Sequence, residues 1–520
     1  MKKIIAFILI SNLSLAQGNF VNDSLDIYIK RELTRWNLPG LAIAVVKEGK
    51  VIFMKGYGLA NVAKKIPVTE NTIFQIASNS KAFTGTSLAL LEYYGKLNLN
   101  DKVKKYLPYF NMNEDWRTEQ VTITDILSHR IGYGTFQSDL LNWASNRTRK
   151  QLIENMINVT PKYGFREKYG YCNMGFLTAG EIIPAVCDTS WDDYLKYHYF
   201  IPLEMKNTGT TYSAFINSPN SSKAYTLWNN KLTEITAANV DNLGPAASIT
   251  SSVNDLSKWV MMQLADGKYN GKQIVPREVI KKTRNSNTIV GESAGPGNNF
   301  NTYGLGWFLK DEYGKKVVTH DGGANGFLSQ TVLIPESNFG FVILTNSDSQ
   351  YLFEAIGKQI INDLNKQPYY NYSVFYYNSF KANYNKDQEE IKNWREKAAA
   401  FKPVTDAYKK LEGMYSNAVY GKIAIQAKEK FAEVTFQFHP QYNGKLQFLT
   451  ENTLLIEYNN PVLGIKEITY LEKNKQRQKT IEIKVNDFVD MDTYIFIKAD
   501  DLYQSFTPES TMPTAVPKKK

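Results

Sequence analysis

The sequence predicts two folded domains, an α+β domain followed by a separate all-β domain. The chain has 520 residues, about three times the usual length of a single domain, so more than one domain is expected. Apolar residues make up 43% of it and charged residues 22%, which is typical of globular proteins and excludes a fibrous or disordered chain. Strand-like apolar runs lie near both ends of residues 17–365 with helical patterns between them, and short alternating runs fill residues 409–507.

The N-terminus has the pattern of a secretory signal peptide, predicted to span residues 1–16. Lys2 and Lys3 form a positive start, residues 4–10 are an unbroken apolar run, and residues 14–16 (Ser-Leu-Ala) have the small-x-small spacing of a cleavage site. The alternative interpretation, a buried first strand or helix, fits this arrangement less well. No cysteine follows the cleavage site, so no lipid anchor is expected there, and the mature protein is predicted to be periplasmic or secreted.

The charge distribution gives no sign of a nucleic-acid partner. The chain has 61 Lys and Arg against 51 Asp and Glu, a formal net charge of +10, and no dense basic stripe apart from residues 518–520. Nucleic-acid binding needs basic residues clustered on one face. Beyond the predicted signal peptide no apolar run approaches the length of about 18 residues that spans a bilayer, so no stable membrane insertion is expected. Residues 508–520, which contain three prolines, are predicted to be a disordered basic tail.

The first part of the α+β domain predicts a hairpin and then a helix. The two β-rich runs of the hairpin, residues 41–46 and 51–57, are joined by a Glu-Gly-Lys turn. Residues 78–94 have the apolar spacing of a helix, and Gly95 follows as a typical helix-ending glycine.

The remainder of this domain predicts helices and then strands. Residues 120–265 alternate helical segments with loops rich in Gly, Ser and Asn, which predicts an all-helical subdomain. Three strands are expected at residues 317–320, 329–334 and 340–345, with turns at Gly322-Gly323 and at residues 335–338. An amphipathic helix is expected at residues 350–363. Strands at both ends indicate an antiparallel sheet with flanking helices, closed by N- and C-terminal strands.

The C-terminal part changes its pattern twice. Residues 366–408 are rich in Tyr, Asn and Lys, contain a charged helical stretch at residues 387–400, and are predicted to be a helical connector. In residues 409–507 apolar and polar residues alternate, as in Val434 and Phe436 against their polar neighbours. Seven or eight such runs predict an antiparallel barrel that removes its own sheet edges.

The strongest chemical signal is Ser78-Asn79-Ser80-Lys81 at the start of a predicted helix. Residues three apart share a helix face, so Lys81 would stand one turn from Ser78. A serine hydroxyl is a weak nucleophile until a neighbouring group removes its proton, and a lysine can do so when burial disfavours its charged form. The helix N-terminus also directs N–H groups at a developing oxyanion. Taken alone, the motif fits an ordinary helix start as well.

Two further segments are candidates for the same site. Tyr171 could act as a general base or acid beside Ser78, and the amide of Asn173 could hold a substrate carbonyl, although a half-buried aromatic is the plainer interpretation of Tyr171. The third segment, which runs from His320 through Asp321 and Gly322 to Gly323, follows a predicted strand, and its glycines could expose a second oxyanion donor.

Two histidines outside these segments, His129 and His439, are expected to be structural. His129 is expected to fix a loop, and His439 to begin an exposed hairpin turn. No metal site or cofactor is expected. The two cysteines, Cys172 and Cys187, flank one predicted helix, too far apart for a disulfide and without the spacing of a zinc site.

Together these segments resemble the serine β-lactamase and penicillin-binding-protein-like family, in particular its class C β-lactamase, D-aminopeptidase and family VIII esterase branch. The three motifs occur in the order Ser78 to Lys81, Tyr171 to Asn173, and His320 to Gly323. Supporting segments lie within residues 37–346. They are residues 56–60, 72–78, 122–129, 202–208, 303–307 and 344–346. The C-terminal domain more weakly resembles the lipocalin-like module often appended to such hydrolases.

The resemblance implies a role for each motif residue. Ser78 would be the acylated nucleophile, and Lys81 and Tyr171 would share its proton and later activate the deacylating water. Asn173 would orient the acyl side chain. Backbone N–H groups of Ser78 and Gly323 would form the oxyanion hole, with residues 320–322 lining the substrate.

One departure from the family pattern bears on the substrate. Where β-lactamases and carboxypeptidases carry Lys-Thr/Ser-Gly, this chain has His320-Asp321-Gly322. A histidine is mostly neutral above a pH of about 6.5, so weak recognition of β-lactam and D-Ala carboxylates is expected.

The expected function is an exported serine hydrolase that acts on an ester or amide in a small molecule or short peptide. Esterase and D-amino-acid-directed peptidase or amidase activity are both open, with weak β-lactamase activity besides. The alternative is a non-catalytic or slow-turnover protein that binds peptidoglycan fragments or penicillin. The C-terminal domain could restrict the cleft, mediate homo-oligomer formation or hold an apolar ligand, and a filled interior would favour the first two.

Overall fold

The computed structural model describes residues 20–291, 298–473, 475 and 478–499. The predicted signal peptide and the predicted basic tail therefore lie outside the described residues. No helix in the described part of the chain has both the length and the apolar character needed to cross a membrane.

Within the described residues, nine strands form one antiparallel sheet in the order β10-β11-β12-β13-β14-β15-β1-β2-β3. Three short pairs, β4-β7, β5-β6 and β8-β9, lie outside it. In chain order the strands are β1 (Gly40–Lys47), β2 (Lys50–Asn61), β3 (Ile66–Pro67), β4 (Phe74–Gln75), β5 (Ala224–Trp228), β6 (Lys231–Ile235), β7 (Thr250–Ser251), β8 (Lys268–Tyr269), β9 (Lys272–Gln273), β10 (Thr288–Gly291), β11 (Asn301–Tyr303), β12 (Phe308–Glu312), β13 (Lys315–Ala324), β14 (Phe327–Ile334) and β15 (Phe339–Thr345).

Helices cover both faces of this sheet, and others form most of the chain between β4 and β10. In chain order they are α1 (Phe20–Asp23), α2 (Leu25–Trp36), α3 (Ser80–Tyr93), α4 (Val103–Tyr106), α5 (Asp115–Gln120), α6 (Ile123–Leu127), α7 (Asp139–Asn142), α8 (Arg149–Glu154), α9 (Asn173–Cys187), α10 (Trp191–Leu195), α11 (Tyr212–Asn217), α12 (Gly244–Ala247), α13 (Val253–Leu264), α14 (Arg277–Thr283), α15 (Leu352–Leu364), α16 (Tyr372–Ala400) and α17 (Ala407–Leu411).

Alternation along the strands explains why the sheet is covered on both sides. In β1, Ile43 belongs to a core that includes Ile29 of α2 and Ile356 of α15. Its neighbour Ala44 points to the opposite face, into the core that contains Phe83 of α3 and Trp259 of α13. Successive side chains of a strand point to opposite faces, so a continuous apolar strand needs helices on both. The predicted sheet with N- and C-terminal strands is confirmed.

Three details of the predicted domain were wrong. Gly322-Gly323 is not a turn but part of β13, and the chain reverses after Ala324. A Cβ atom on Gly322 would lie 2.2 Å from the carbonyl oxygen of Ile76, so this glycine serves a close approach. The subdomain predicted to be all-helical also contains the hairpin β5-β6. The helix predicted to begin at Ser78 begins at Ser80.

The predicted barrel is confirmed: among residues 413–498, eight antiparallel strands close on themselves. They are β16 (Gly413–Asn417), β17 (Gly421–Ala427), β18 (Ala432–Phe436), β19 (His439–Phe448), β20 (Thr453–Tyr458), β21 (Ile465–Leu471), β22 (Thr480–Ile483) and β23 (Tyr494–Lys498). Inward residues such as Ile425, Val434, Leu446 and Ile456 pack together in one buried cluster. A packed interior favours a scaffold over a ligand container.

The barrel sits on the segment of the first domain that surrounds α7. The backbone N–H of Asn146 donates to the Phe438 carbonyl, and Gln441 donates to the carbonyl of Ala144. His439, expected to be exposed, is buried here, and its Nε2 donates to the Trp143 carbonyl at 3.1 Å. Contact with the other domain overrides the local turn signal at this histidine.

Candidate active site

Ser78 lies in a short 3₁₀ turn (Ala77–Asn79) between β4 and α3, and it is half-buried. Ala77, immediately before it, has φ +46°, a left-handed conformation that costs a non-glycine residue about 1 kcal/mol. Strained backbone of this kind clusters at functional sites. Within this turn the N–H groups of Asn79 and Ser80 donate to the carbonyls of Ile76 and Ala77.

Lys81 is completely buried and touches three oxygen atoms. Its Nζ lies 3.0 Å from Ser78 Oγ, 2.6 Å from Asn173 Oδ1 and 2.9 Å from the Ala246 carbonyl oxygen. The Ala246 carbonyl can only accept, and so can Asn173 Oδ1, since the other amide atom of Asn173 donates to a carboxylate. A neutral lysine has two N–H donors and one lone pair, so its lone pair then faces the Ser78 hydroxyl.

The environment of Lys81 favours this neutral form. Burial lowers the pKa of the Lys81 ammonium to about 7, against the opposing effects of Asp139 and Cys172. The rings of Tyr171 and Phe176 flank the amine, with ring centroids 4.7 and 5.6 Å from Nζ, a contact that favours the ammonium but does not offset the burial. Near neutral pH a substantial fraction of Lys81 is therefore able to accept a proton.

Tyr171 is buried beside Ser78 and remains a phenol. Its ring packs on His129, with a centroid distance of 4.4 Å, and edge-on against Phe136. Burial raises its pKa well above the ordinary value, against the opposing effect of the Ser78 side chain with which it interacts. A phenol held neutral in this way is a proton donor at physiological pH rather than a base. The structure thus brings Ser78, Lys81 and Tyr171 together, as the motifs predicted.

Asn173 begins α9 and connects Lys81 to a residue that the motifs did not mark. Its Nδ2 donates to Asp139 Oδ2 at 2.5 Å, which fixes the orientation of the amide. Asp139 is buried in α7 and stands 34 residues away in sequence, without any recognisable motif around it. Only the folded chain reveals it.

His129 fixes the loop that carries Tyr171. Its Nδ1 accepts from the backbone N–H of Cys172 at 2.9 Å, so the ring is neutral with its proton on Nε2. Burial, together with the charge of Lys81, lowers the pKa of His129 well below its ordinary value.

The end of β13 forms the other wall of the site. β12 pairs with β13 only as far as Thr319, so residues 320–324 have β14 along one edge alone. Gly322 lies against the carbonyl of Ile76, two residues before Ser78. A Cβ atom on Gly323 would lie 3.0 Å from the ring of Phe488, which belongs to the barrel. The barrel therefore reaches the wall that contains the predicted oxyanion residue.

His320 is buried as a neutral side chain. Its Nδ1 donates to the Asp321 carbonyl at 2.7 Å, which leaves Nε2 to accept from the Tyr303 hydroxyl at 2.9 Å. Burial, with the charge of Lys81, lowers the pKa of His320 to about 3. No cation therefore stands where the family pattern places a lysine.

Asp321 does not join the other predicted site residues. It accepts from Gln330 at 3.0 Å on the sheet face that α15 covers, whereas the turn containing Ser78 packs on the opposite face through Ser329. Neighbouring residues of a strand point to opposite faces, which separates Asp321 from its neighbours His320 and Gly322. Its predicted place in substrate binding does not follow from this geometry. No cluster of metal-ligating side chains occurs among the described residues.

Comparisons with known proteins identify the family and the fold. The beta-lactamase family model matches residues 25–364. Protein flp of Staphylococcus aureus (strain MW2) is 32% identical over 354 residues, which cover 66% of this chain and 67% of that protein. The unguisins hydrolase ungD' of Aspergillus campestris is 28% identical over 350 residues, 65% of this chain and 63% of that protein.

Two solved structures share the fold. The penicillin-binding protein homologue from Pyrococcus abyssi, described as octameric, superposes with a TM-score of 0.56 at 21% identity and covers 91% of this chain and 99% of that chain. A D-stereospecific amidohydrolase from Streptomyces sp. gives a TM-score of 0.51 at 21% identity, over 61% of this chain and 91% of that one. With its family match across residues 25–364 and the 32% identical relative, this chain belongs to the beta-lactamase family.

Proposed function

We propose that this protein is an exported serine hydrolase that cleaves an ester or amide through an acyl-enzyme at Ser78. The observation that carries the proposal is the position of Lys81, whose Nζ lies 3.0 Å from Ser78 Oγ while two other oxygens occupy its N–H donors. A neutral amine placed in this way accepts the hydroxyl proton as Oγ attacks a carbonyl carbon. Export rests on the sequence pattern of residues 1–16.

The proposed reaction runs in two halves. In acylation, Ser78 Oγ adds to the carbonyl carbon, its proton passes to Lys81, and the N–H groups of Ser78 and Gly323 stabilise the oxyanion. The Tyr171 phenol gives its proton to the leaving group, and the Lys81 ammonium returns a proton to the phenolate. In deacylation, a water molecule attacks the acyl carbon, loses its proton to Lys81, and the proton returns to Ser78 Oγ. This order makes Lys81 the primary base, because the phenol is held protonated.

The neutral His320 supports a substrate without a carboxylate beside β13. A buried neutral imidazole offers no charge to the carboxylate of a β-lactam or of a C-terminal D-Ala. Activity on β-lactams is therefore proposed to be slow. The structural neighbour described as a D-stereospecific amidohydrolase supports an amide substrate, and the relative described as an unguisins hydrolase supports hydrolysis. Esters of similar size fit the same chemistry.

The experiment is a turnover panel on the wild type and Ser78→Ala. Short-chain p-nitrophenyl esters, D-aminoacyl amides, nitrocefin and D-Ala-D-Ala peptides are the substrates, and intact mass after fluorophosphonate treatment is the second readout. We expect turnover of at least one ester or amide above nitrocefin, and an adduct, both lost in Ser78→Ala. Turnover and adduct that persist in Ser78→Ala would contradict the proposal. An adduct without any turnover would favour the alternative, a slow-turnover binding protein.

A further inference from the structure

The buried carboxylate of Asp139 accepts a hydrogen bond from the amide of Asn173, which in turn contacts Lys81. Asp139 accepts from Asn173 Nδ2 at 2.5 Å through Oδ2 and from Asn142 Nδ2 at 3.1 Å through Oδ1. Asn173 in turn accepts from Lys81 at 2.6 Å. The hydrogen bond to Asp139 fixes the Asn173 amide with its nitrogen toward Asp139 and its oxygen toward Lys81. Because this oxygen takes one N–H donor of Lys81, the orientation of the Asn173 amide decides whether the lone pair of Lys81 faces Ser78.

The barrel fixes the backbone on which Asp139 stands. Asp490, in the connection before β23, accepts from the Leu140 N–H at 3.0 Å and from the Tyr420 hydroxyl at 2.7 Å. The Tyr494 hydroxyl accepts from the Ser138 N–H at 3.1 Å and donates to Asp490 at 3.2 Å. The residues on both sides of Asp139 are therefore hydrogen-bonded to the C-terminal domain. Asp490 itself is fully buried.

We propose that Asp139 and Asp490 are positioning residues of the hydrolase. Asp490 fixes the segment 138–140, and Asp139 in that segment orients Asn173. Asn173 then positions Lys81 against Ser78. The inference rests on the proposed function, since it assigns Lys81 the role of base. It gives the barrel a part in the chemistry, because the chain of contacts begins in the barrel. The contacts from Asp139 to Ser78 lie within the first domain, and the barrel holds the segment on which Asp139 stands.

The charge of Asp139 also adjusts the proton affinity of Lys81. The groups that face Lys81 or its partners from the surrounding elements are Asp139 of α7, Cys172 and Tyr171 before α9, His129 after α6, and His320 of β13, with Asp490 of the barrel facing Asp139. Of these, Asp139 is the anion that raises the pKa of Lys81 most. Both histidines and the phenol are neutral near pH 7. Removing the anion therefore lowers the pKa of Lys81 further.

The first test changes Asp139 and follows the rate at which a fluorophosphonate labels Ser78 between pH 5 and pH 9. Asp139→Asn keeps an oxygen that can accept from Asn173 but loses the charge. We expect its plateau rate to stay within about tenfold of the wild type and its acid limb to move down by about one pH unit. Asp139→Ala leaves Asn173 without an acceptor, and its plateau is expected to fall about 100-fold. A purely structural role would lower the rate without moving the limb.

The second test changes the barrel residues and has a matched control. Asp490→Ala is expected to lower the plateau rate of labelling about tenfold, whereas Asp490→Asn, which still accepts from Leu140, is expected to lower it about threefold or less. Tyr494→Phe removes one hydroxyl and replaces Asp490→Ala in this test if thermal unfolding shows that Asp490→Ala is poorly folded. The control is Asp492→Asn, which breaks the ion pair between Asp492 and Lys162 across the same interface without touching segment 138–140, and it is expected to match the wild type.

The outcomes separate this inference from the proposed function. A wild type labelled at Ser78 whose Asp139→Asn profile does not move, or whose Asp490→Ala and Tyr494→Phe rates equal that of Asp492→Asn, overturns the positioning chain and leaves the hydrolase standing. A wild type that is not labelled at Ser78 overturns both. The expected shift and the expected order of rates support the chain.

Discussion

Two buried aspartates, Asp125 and Asp139, lie in neighbouring parts of the first domain and differ in how their charge is compensated. Their exposed fractions are 0% and 3%. Asp125 accepts from Arg130 Nε at 2.7 Å and from Arg166 through two nitrogens at 2.7 and 2.8 Å. Among the described residues Asp139 has no arginine partner, and the amides of Asn142 and Asn173 contact it instead.

The protonation of the two carboxyl groups follows from this difference. For Asp125 burial acts to raise the pKa, yet hydrogen bonds from Arg166 and Thr122 hold it below its ordinary value. For Asp139 burial raises the pKa to about 6, since the neutral amides and Lys81 compensate it only in part. Asp125, which is paired with arginines that stay charged, is therefore an element of the scaffold. The protonation of Asp139, which is compensated only in part, depends on the charge of Lys81.

The largest effect expected from this comparison is at Lys81, which Asn173 connects to Asp139. Lys81→Met keeps an apolar chain of similar length but removes the proton acceptor, so the labelling rate of Ser78 is expected to fall about 10³-fold. Because the amine is buried at a cost, the variant is expected to fold at least as stably as the wild type. Labelling kinetics and thermal unfolding on the same sample check both statements. A variant labelled at the wild-type rate would show that another group activates Ser78.

The second prediction concerns the scaffold carboxylate. Asp125→Asn leaves two arginines facing a neutral amide, and the free energy of unfolding is expected to fall by about 3 kcal/mol. The labelling rate of the folded fraction is expected to remain within about threefold of the wild type, because the side-chain partners of Asp125 among the described residues are Thr122, Arg130 and Arg166 rather than the groups around Ser78. Urea unfolding and labelling in buffer are the two measurements. A large loss of labelling with unchanged stability would reverse the roles assigned to the two aspartates.

The smallest effect, counted per pH unit, is on the pH dependence of stability. The pKa of Lys81 is lowered in the folded protein to about 7, so between pH 7 and about 10 the unfolded chain binds more protons and stability rises with pH. The contribution is at most about 1.4 kcal/mol per pH unit. Asp125 acts in the acid range: its lowered pKa gives stability that is present above the ordinary carboxyl pKa and is lost as pH falls through the folded value.

Comparison of variants isolates the two contributions. From pH 7 to pH 9.5 the free energy of unfolding of the wild type is expected to rise relative to that of Lys81→Met. The difference between the wild type and Asp125→Asn is expected to be flat over that range. Parallel curves for Lys81→Met would mean that the amine is not neutral when buried.

Local pattern was sufficient for much of the fold and for half of the candidate site. Ser78 and Lys81 share one turn, and Tyr171 and Asn173 share one loop, so their pairing is visible in sequence. The closed barrel was visible in the alternation of residues 432–436 and its counterparts. These features depend on spacing within a few residues, which the sequence shows directly.

The missed features depend on contacts between distant segments. Asp139 meets Asn173 only because α7 and α9 pack together, and Asp490 reaches Leu140 across 350 residues. Gly322-Gly323 was predicted as a turn because glycine pairs mark turns, but here Gly322 makes room for Ile76. His439 was predicted to be exposed because it begins a hairpin turn, and its burial was missed because its partner Trp143 lies in the other domain.

The most direct measurement is the pH profile of fluorophosphonate adduct formation on the wild-type protein, with the modified residue mapped by peptide mass. A single modified serine at position 78 and a rate that rises through an apparent pKa near 7 are expected, because neutral Lys81 is the acceptor of the serine proton. Modification at another residue, or a rate at Ser78 that does not change between pH 5 and pH 9, would contradict the account.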